Sequence, residues 1–179
     1  MEPALTPELA SADARSADFE ALVGPWVNEM YRAAAAIVGT HEAEEVTQDA
    51  LLDAWRGFAR LRDRERARPW LHAILANRAR KHLRAARSRP RLIPVATEPT
   101  NEAGRSSPDH AIQFAERDRL DRAFVRLSAD QRVCLALHYS LDLSVPQIAE
   151  SLGIPQGTVK SRINAGMERL RAAFRAEEQ

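Results

Sequence analysis

Residues 144–170 read SVPQIAESLGIPQGTVKSRINAGMERL, two short amphipathic patterns joined by a Gly-containing turn. Ser144 followed by Gln147 is a capping box, which satisfies amide donors otherwise left open at a helix start. Ile148, Ala149 and Leu152 share one face of the first pattern. Gly153 supplies the turn, because a residue without Cβ takes positive φ at no steric cost, and Ile154 fills the angle between the helices. In the second pattern Val159, Ile163, Met167 and Leu170 recur at helical spacing and form the buried stripe. Thr158, Lys160, Ser161, Arg162 and Asn164 are left outward, a donor-rich set suited to phosphates and base edges. This is the layout of a helix-turn-helix that lays its second helix in a DNA groove. Taken alone, the stretch also fits two packed helices with solvated charges, so the rest of the chain decides.

The composition favours helix. Apolar residues make up 45% of the 179 residues, and glycine is scarce outside expected turns, which argues against a sandwich or barrel. No apolar run approaches the length of a membrane span, and the first residues lack a basic start followed by an apolar stretch. The expectation is a cytoplasmic protein with no direct membrane insertion. Cys134 is the single cysteine, so no disulfide framework or thiolate metal site can be drawn. Its place in an apolar helical pattern marks it as a buried small hydrophobe.

A net charge of +1 hides a strong polarity along the chain. Met1 to Phe58 carries eleven acids against three arginines, whereas Arg60 to Arg91 carries eleven arginines and one lysine against two acids. An acidic surface fits a basic protein, and a basic one fits nucleic acid. Two different partners are implied.

Residues 1–17, rich in small and polar residues with Pro3 and Pro7, are expected to form a mobile N-terminal tail. From Asp18 to near Gly39 the sequence is periodic, with Phe19, Leu22, Val23, Trp26, Met30, Ala33, Ala34 and Ile37 on one face. Pro25 predicts a kink or restart inside it. A second helix is predicted from about Glu42 to Arg60, its apolar side made by Val46, Ala50, Leu51, Ala54, Trp55 and Phe58. Glu42, Glu45, Asp49 and Asp53 form an acidic stripe on another face. Like charges so spaced repel each other, so local helix stability does not account for them. The basic connection RLRDRERARPW follows, and Pro69 suits the first turn of a helix reaching about Arg87. That helix is predicted to bury Leu71, Ile74, Leu75 and Leu83 and to expose Arg78, Lys81, Arg84 and Arg87. Trp70 lies in the apolar stripe, which favours core packing over stacking on a base.

Residues 88–108 hold four prolines among Ser, Thr, Asn and Gly, the composition of a flexible linker. Leu92, Ile93 and Val95 are apolar enough to dock on a partner. The expected architecture is all-α: a helical domain over 18–87, a linker over 88–108, and a second helical domain over 109–179. In the second domain, Ile112 to Leu127 suggests one helix, and Ser128 with Gln131 opens another reaching about Tyr139. These two precede the helix-turn-helix.

No enzyme site emerges. The five histidines are scattered, and HEAEE at 41–45 lacks the second His of a zinc-protease helix. Neither a Gly-rich phosphate loop nor a strand-elbow serine is present. The expectation is a binding protein that is not an enzyme, with no cofactor and no metal.

EAEEVTQDALLDAW, then PWLHAILANRARKHLR, a Pro-rich linker, and LSADQRVCLALHYSLDLSVPQIAESLGIPQGTVKSRINAGMERLR together resemble the extracytoplasmic-function (ECF, group IV) sigma factors of the bacterial sigma-70 family. The resemblance spans about Phe19 to Phe174 and implies a sigma-two-like bundle and a sigma-four-like helix-turn-helix domain. It gives Glu45, Gln48, Asp49 and Asp53 the role of binding the clamp helices of the largest RNA polymerase subunit, with the flap of the second-largest subunit as a further contact. It places Arg62, Arg64, Arg66, Asn77, Arg78, Lys81 and Arg84 at the minus-ten promoter element, with Asn77 beside a base pocket. Thr158, Lys160, Ser161, Arg162, Asn164 and Ala165 fall at the minus-thirty-five element. Many members carry Arg at the positions of Ala165 and Met167, so this recognition helix is poorer in groove-facing cations. Lys81 stands where an acid is common.

The implied function is that of a sigma factor: a monomer when free, it binds core polymerase and directs promoter-specific initiation, with an anti-sigma factor as a further partner. The alternative is a free-standing helix-turn-helix regulator that binds an operator without polymerase.

Overall fold

A computed structural model describes the backbone of residues 7–88, 123–124 and 126–177. All regular elements among these residues are helical. Helix α1 spans Pro7–Val23 and α2 Val27–Val38, joined by a 3-10 turn over Gly24–Trp26. Pro25 sits in that turn, so the helix breaks and restarts where its missing amide forbids continuation. The expected start near Asp18 is corrected: helix begins at Pro7. Pro suits a first helical turn, and the Ala- and Glu-containing run PELASADA continues it with good helix formers but no apolar stripe.

Helix α3 spans Thr40–Gly57 and α4 Ala67–Ser88, with 3-10 turns at Phe58–Arg60 and Arg64–Arg66 between them. Helices α2, α3 and α4 pack on one another. Their contact is built from small residues: Ala33 and Ala34, Ala43, Ala50 and Ala54, Ala76 and Ala79 are all buried. Met30, Ile37, Val46, Leu71 and Leu75 fill the space between. Small side chains at a helix contact let the axes approach closely. At one edge, α1 is held to α3 by an aromatic cluster. Phe19 meets Trp55 edge-on at 5.2 Å and Phe58 at 5.3 Å, while Arg15 lies over the Trp55 ring at 4.5 Å.

The second domain contains α5 (Ala129–Tyr139), α6 (Val145–Leu152) and α7 (Gln156–Glu177). The linker and most of the preceding helix expected from the sequence lie outside the described residues. Ser128 and Ser144 both open their helices with capping boxes. Gly153 closes α6 in the left-handed conformation at φ 62°, as its lack of Cβ allows. Gly166 on α7 fits against α5, where a Cβ would come within 2.8 Å of Leu135 Cδ1.

Helix α5 is not amphipathic in its setting: every residue from Gln131 to Leu137 is buried. A helix buried all round needs partners on several sides. One side meets α7 and α6; the other meets α2 and α4 of the first domain. Helix α4 also packs against α6. The two helical domains are docked on each other, an arrangement the expected flexible linker did not indicate.

Candidate polymerase and nucleic-acid interfaces

The acidic stripe lies along α3. Glu45 and Gln48 are exposed, and the Gln48 amide donates to Glu44 at 3.0 Å. Asp49 and Asp53 are half-buried, because α4 brings Arg78 against them. Arg78 Nη2 donates to Asp53 Oδ1 at 2.6 Å, and Nη1 to Asp49 at 3.3 Å. The hydrogen bond from Arg78 holds the Asp53 carboxyl below its ordinary value, and the same bond raises the guanidinium. At the start of the stripe Glu42 pairs with His82 of α4 at 2.7 Å. Asp49 and Asp53 therefore repel each other less than their spacing implied, since α4 sets the Arg78 guanidinium between them.

Beside Gln48 the surface turns apolar. Leu51, Leu52 and Trp55 of α3 line a groove of about 480 Å³ with Phe19 of α1, and Leu52 is 52% exposed. Leu52 lies outside the apolar stripe of α3, and its extra leucine in ALLDAW was the signal available for it. Ser16, Glu20 and Gln48 complete the lining of the groove, an apolar surface with a polar rim of the kind found at protein–protein contacts.

The basic connection and α4 form the second surface. Arg62 is exposed. Arg64 pairs with Asp18 of α1 at 3.0 Å, and Arg66 reaches Glu150 of α6. Asp63 caps the 3-10 turn between them by accepting the Glu65 amide at 3.0 Å. Asn77, Lys81 and Arg84 are exposed along α4, and the Asn77 carbonyl accepts from Arg80 at 3.1 Å. Arg78 stands apart from them, turned to α3. Trp70 is half-buried and packs on the core, where a Cβ on Gly57 would meet it at 3.3 Å. Beneath this face His72 is buried and 2.8 Å from Glu29, which also accepts from Arg68 at 2.9 Å. Burial pushes the imidazole below its ordinary value, against the pull of Glu29.

In the helix-turn-helix, Val159, Ile163 and Leu170 are buried as their spacing requires, while Met167 of the same stripe is half-buried and packs against the core. Lys160, Ser161 and Asn164 are exposed, while Thr158 and Ala165 are half-buried. The Ser161 hydroxyl donates to the Thr158 carbonyl at 3.0 Å. Arg162 is half-buried, with Nη2 3.4 Å from Asp130 of α5. Asp130 also accepts from Arg80 of α4 at 2.6 Å. Asn77, Lys81 and Arg162, expected at two separate DNA elements, thus line one cleft of about 430 Å³ between the domains. Arg80, Asp130 and Glu150 were not among the expected residues; their partners lie on other helices, and spacing carries no sign of such pairs.

Cys134 is fully buried, and burial pushes its thiol up. Among the described residues no cluster of three His, Cys, Asp or Glu side chains is placed to hold a metal ion. No described helix is long and apolar enough to cross a membrane.

The chain is similar to known proteins along most of its length. Residues 22–89 match the family model of sigma-70 region 2, and residues 117–170 that of sigma-70, region 4. The chain is 32% identical over 163 residues to the ECF RNA polymerase sigma factor SigL of Mycobacterium tuberculosis, covering 90% of this chain and 91% of that protein. It is 30% identical over 165 residues to SigC of the same organism, covering 92% and 87%, and 35% identical over 135 residues to RpoE of Cereibacter sphaeroides, covering 73% and 71%. Two solved structures share the fold. CnrH in complex with the cytosolic domain of CnrY gives a TM-score of 0.63 at 23% identity, covering 92% of this chain and 94% of that one. The sigma factor RpoE in complex with the anti-sigma factor NepR from Bartonella quintana gives 0.61 at 24%, covering 88% and 97%. With both sigma regions matched in order and relatives aligned along nearly its whole length, the chain belongs to the extracytoplasmic-function sigma factors of the sigma-70 family and is a promoter-directing RNA polymerase sigma factor.

Proposed function

We propose that the chain is a dissociable, non-catalytic initiation subunit that binds core RNA polymerase through α3 and reads two promoter elements with α4 and α7. The observation that carries this reading is the division of surfaces on one bundle: carboxylates, amides and an apolar groove on α3, cations and Asn77 on α4. Glu45, Gln48 and Leu52 supply the exposed contacts for the clamp helices of the largest polymerase subunit. Asp49 and Asp53 take part while paired with Arg78. The second domain meets the flap of the second-largest subunit.

At the minus-ten element, reading an unstacked base requires a hydrogen-bonding edge and neutralisation of the single-stranded backbone. Asn77 both donates and accepts, and Arg62, Arg64, Arg66, Lys81 and Arg84 supply charge. Arg78 acts from behind, fixing α4 against the polymerase-binding helix. At the minus-thirty-five element Lys160, Ser161 and Asn164 face the major groove. Polymerase holds the two weak DNA contacts at promoter spacing, so they act together through effective concentration.

An anti-sigma factor is the further partner. Support comes from the structural relatives, one solved with the anti-sigma factor NepR and the other with the cytosolic domain of CnrY. The protein works in the cytoplasm, where polymerase and promoter are found.

Gel-shift assays of promoter DNA with the chain alone, core polymerase alone and both together test the proposal. A specific complex that needs both, and that is lost with Glu45→Ala and Gln48→Ala combined, is expected. Tight, specific duplex binding by the chain alone, unaffected by those changes, would instead make it a free-standing regulator.

A further inference from the structure

Helix α1 serves two surfaces at once. Ser16, Phe19 and Glu20, spaced to share one side of the helix, line the apolar groove with Leu52 and Trp55 of α3. Arg15 and Asp18 lie round the helix from them, since each residue turns it by about 100°. Arg15 sits over the Trp55 ring at 4.5 Å and donates to the Trp55 carbonyl at 3.3 Å, which ties α1 to the end of α3. Asp18 instead accepts from Arg64 Nη2 at 3.0 Å, where the basic connection makes its 3-10 turn over Arg64–Arg66. Phe19 joins the two sides. Its ring meets both Trp55 and Phe58 edge-on, and the Arg64 guanidinium lies 5.7 Å from the centre of the Phe58 ring.

Stability does not account for the pair of Asp18 and Arg64. The two side chains are 59% and 58% exposed, and an ion pair so open to water adds little to a fold. What the pair fixes is direction. A free arginine side chain samples many rotamers, and ordering it on a ligand has an entropic cost. Asp18 meets that cost in advance through a single oxygen on Nη2. A guanidinium carries several N–H donors in a fixed fork, so one carboxylate oxygen leaves donors for a phosphate. The backbone of the same turn is set by Asp63, which accepts the Glu65 amide at 3.0 Å. Arg64 is thus held at its root by the turn and at its tip by α1.

We propose that Asp18 is a positioning residue for promoter opening, which holds Arg64 of the basic connection ready for the backbone phosphate of the separating minus-ten strand. This rests on the reading of α3 as the polymerase surface and of the connection as part of the minus-ten surface. Asp18 touches neither polymerase nor DNA; it acts through Arg64 alone. Because the neighbouring side of α1 walls the groove, an effect on opening is told from one on polymerase binding only when both are measured.

Core RNA polymerase with the full chain, on a promoter selected by the chain and carrying 2-aminopurine in its minus-ten element, reports strand opening as a rise in fluorescence. Titration of core polymerase reports affinity. Asp18→Ala should slow opening roughly threefold, what holding one long side chain is worth, and leave polymerase affinity and melting temperature unchanged. Asp18→Glu keeps a carboxylate on the helix and should restore most of the rate. In an Arg64→Ala background Asp18→Ala should cost nothing more, because the positioned group is gone. Asp13→Ala removes the same charge at another exposed position of α1 and should change no readout. Equal opening rates for Asp18→Ala and the parent, or the same loss with and without Arg64, overturn the proposal while the sigma-factor reading stands. A parent that opens no promoter with polymerase overturns that reading, and this proposal with it.

Discussion

Arg78 on α4 and Asp53 on α3 bind each other across the helix contact, with Nη2 2.6 Å from Oδ1, and Asp49 stands 3.3 Å from the same guanidinium. The pair joins the helix assigned to polymerase to the helix assigned to promoter DNA. Asp53→Ala should therefore do two things, lowering polymerase affinity and weakening the fold by about 1 kcal/mol, a value set low because the carboxylate is partly exposed. Glu45→Ala, at an exposed site, should lower polymerase affinity with a stability change within about 0.5 kcal/mol. Denaturant midpoints measured beside polymerase titrations separate the two effects.

Gly166 lies where α7 crosses α5. Alanine there would gain about 1 kcal/mol of helix propensity at an open site, but its Cβ would stand 2.8 Å from Leu135 Cδ1. Leu135 is itself buried, and overpacking of this kind costs about 1–3 kcal/mol. Gly166→Ala should be net destabilising by about 1 kcal/mol, read as a lowered melting temperature of the full chain.

His72 gives the fold a pH dependence. Burial lowers the imidazole pKa in the folded chain, so the unfolded chain binds its proton first as pH falls. Stability is full above the ordinary value of 6.5 and declines as pH drops below it toward the lower folded value. Melting temperatures taken on either side of 6.5 should show this slope, and His72→Gln should flatten it.

Promoter choice is predicted to respond to a change at Ala165. Arginine at a groove-facing position that forks onto guanine adds about 1–3 kcal/mol of discrimination. Ala165→Arg should shift the preferred minus-thirty-five sequence in a promoter-library selection while leaving core polymerase affinity within about twofold.

Local signals were legible in the sequence because they act over a few residues. Pro25 broke the first long helix where its missing amide requires. Ser128 and Ser144 opened their helices through the partners three residues on. Of the stripe Val159, Ile163, Met167 and Leu170, three are buried and Met167 is half-buried. The start of α1 at Pro7 was missed because its first turns carry propensity without an apolar stripe to mark them. Pairings between distant helices left no trace in spacing. His72 with Glu29, Arg78 with Asp53, and Arg66 with Glu150 join residues 43, 25 and 84 positions apart. Their consequence for the site is large: Arg78 reads as an exposed cation in a periodic pattern, yet α3 claims it. The unbroken apolar run in α5 was the one visible sign that this helix meets two domains at once.

Run-off transcription with purified core RNA polymerase tests the central claim most directly. On templates bearing promoters selected by the chain, a promoter-specific transcript is expected only when both proteins are present, and it should fall with Glu45→Ala and Gln48→Ala combined. A transcript pattern identical to that of core polymerase alone would contradict the assignment.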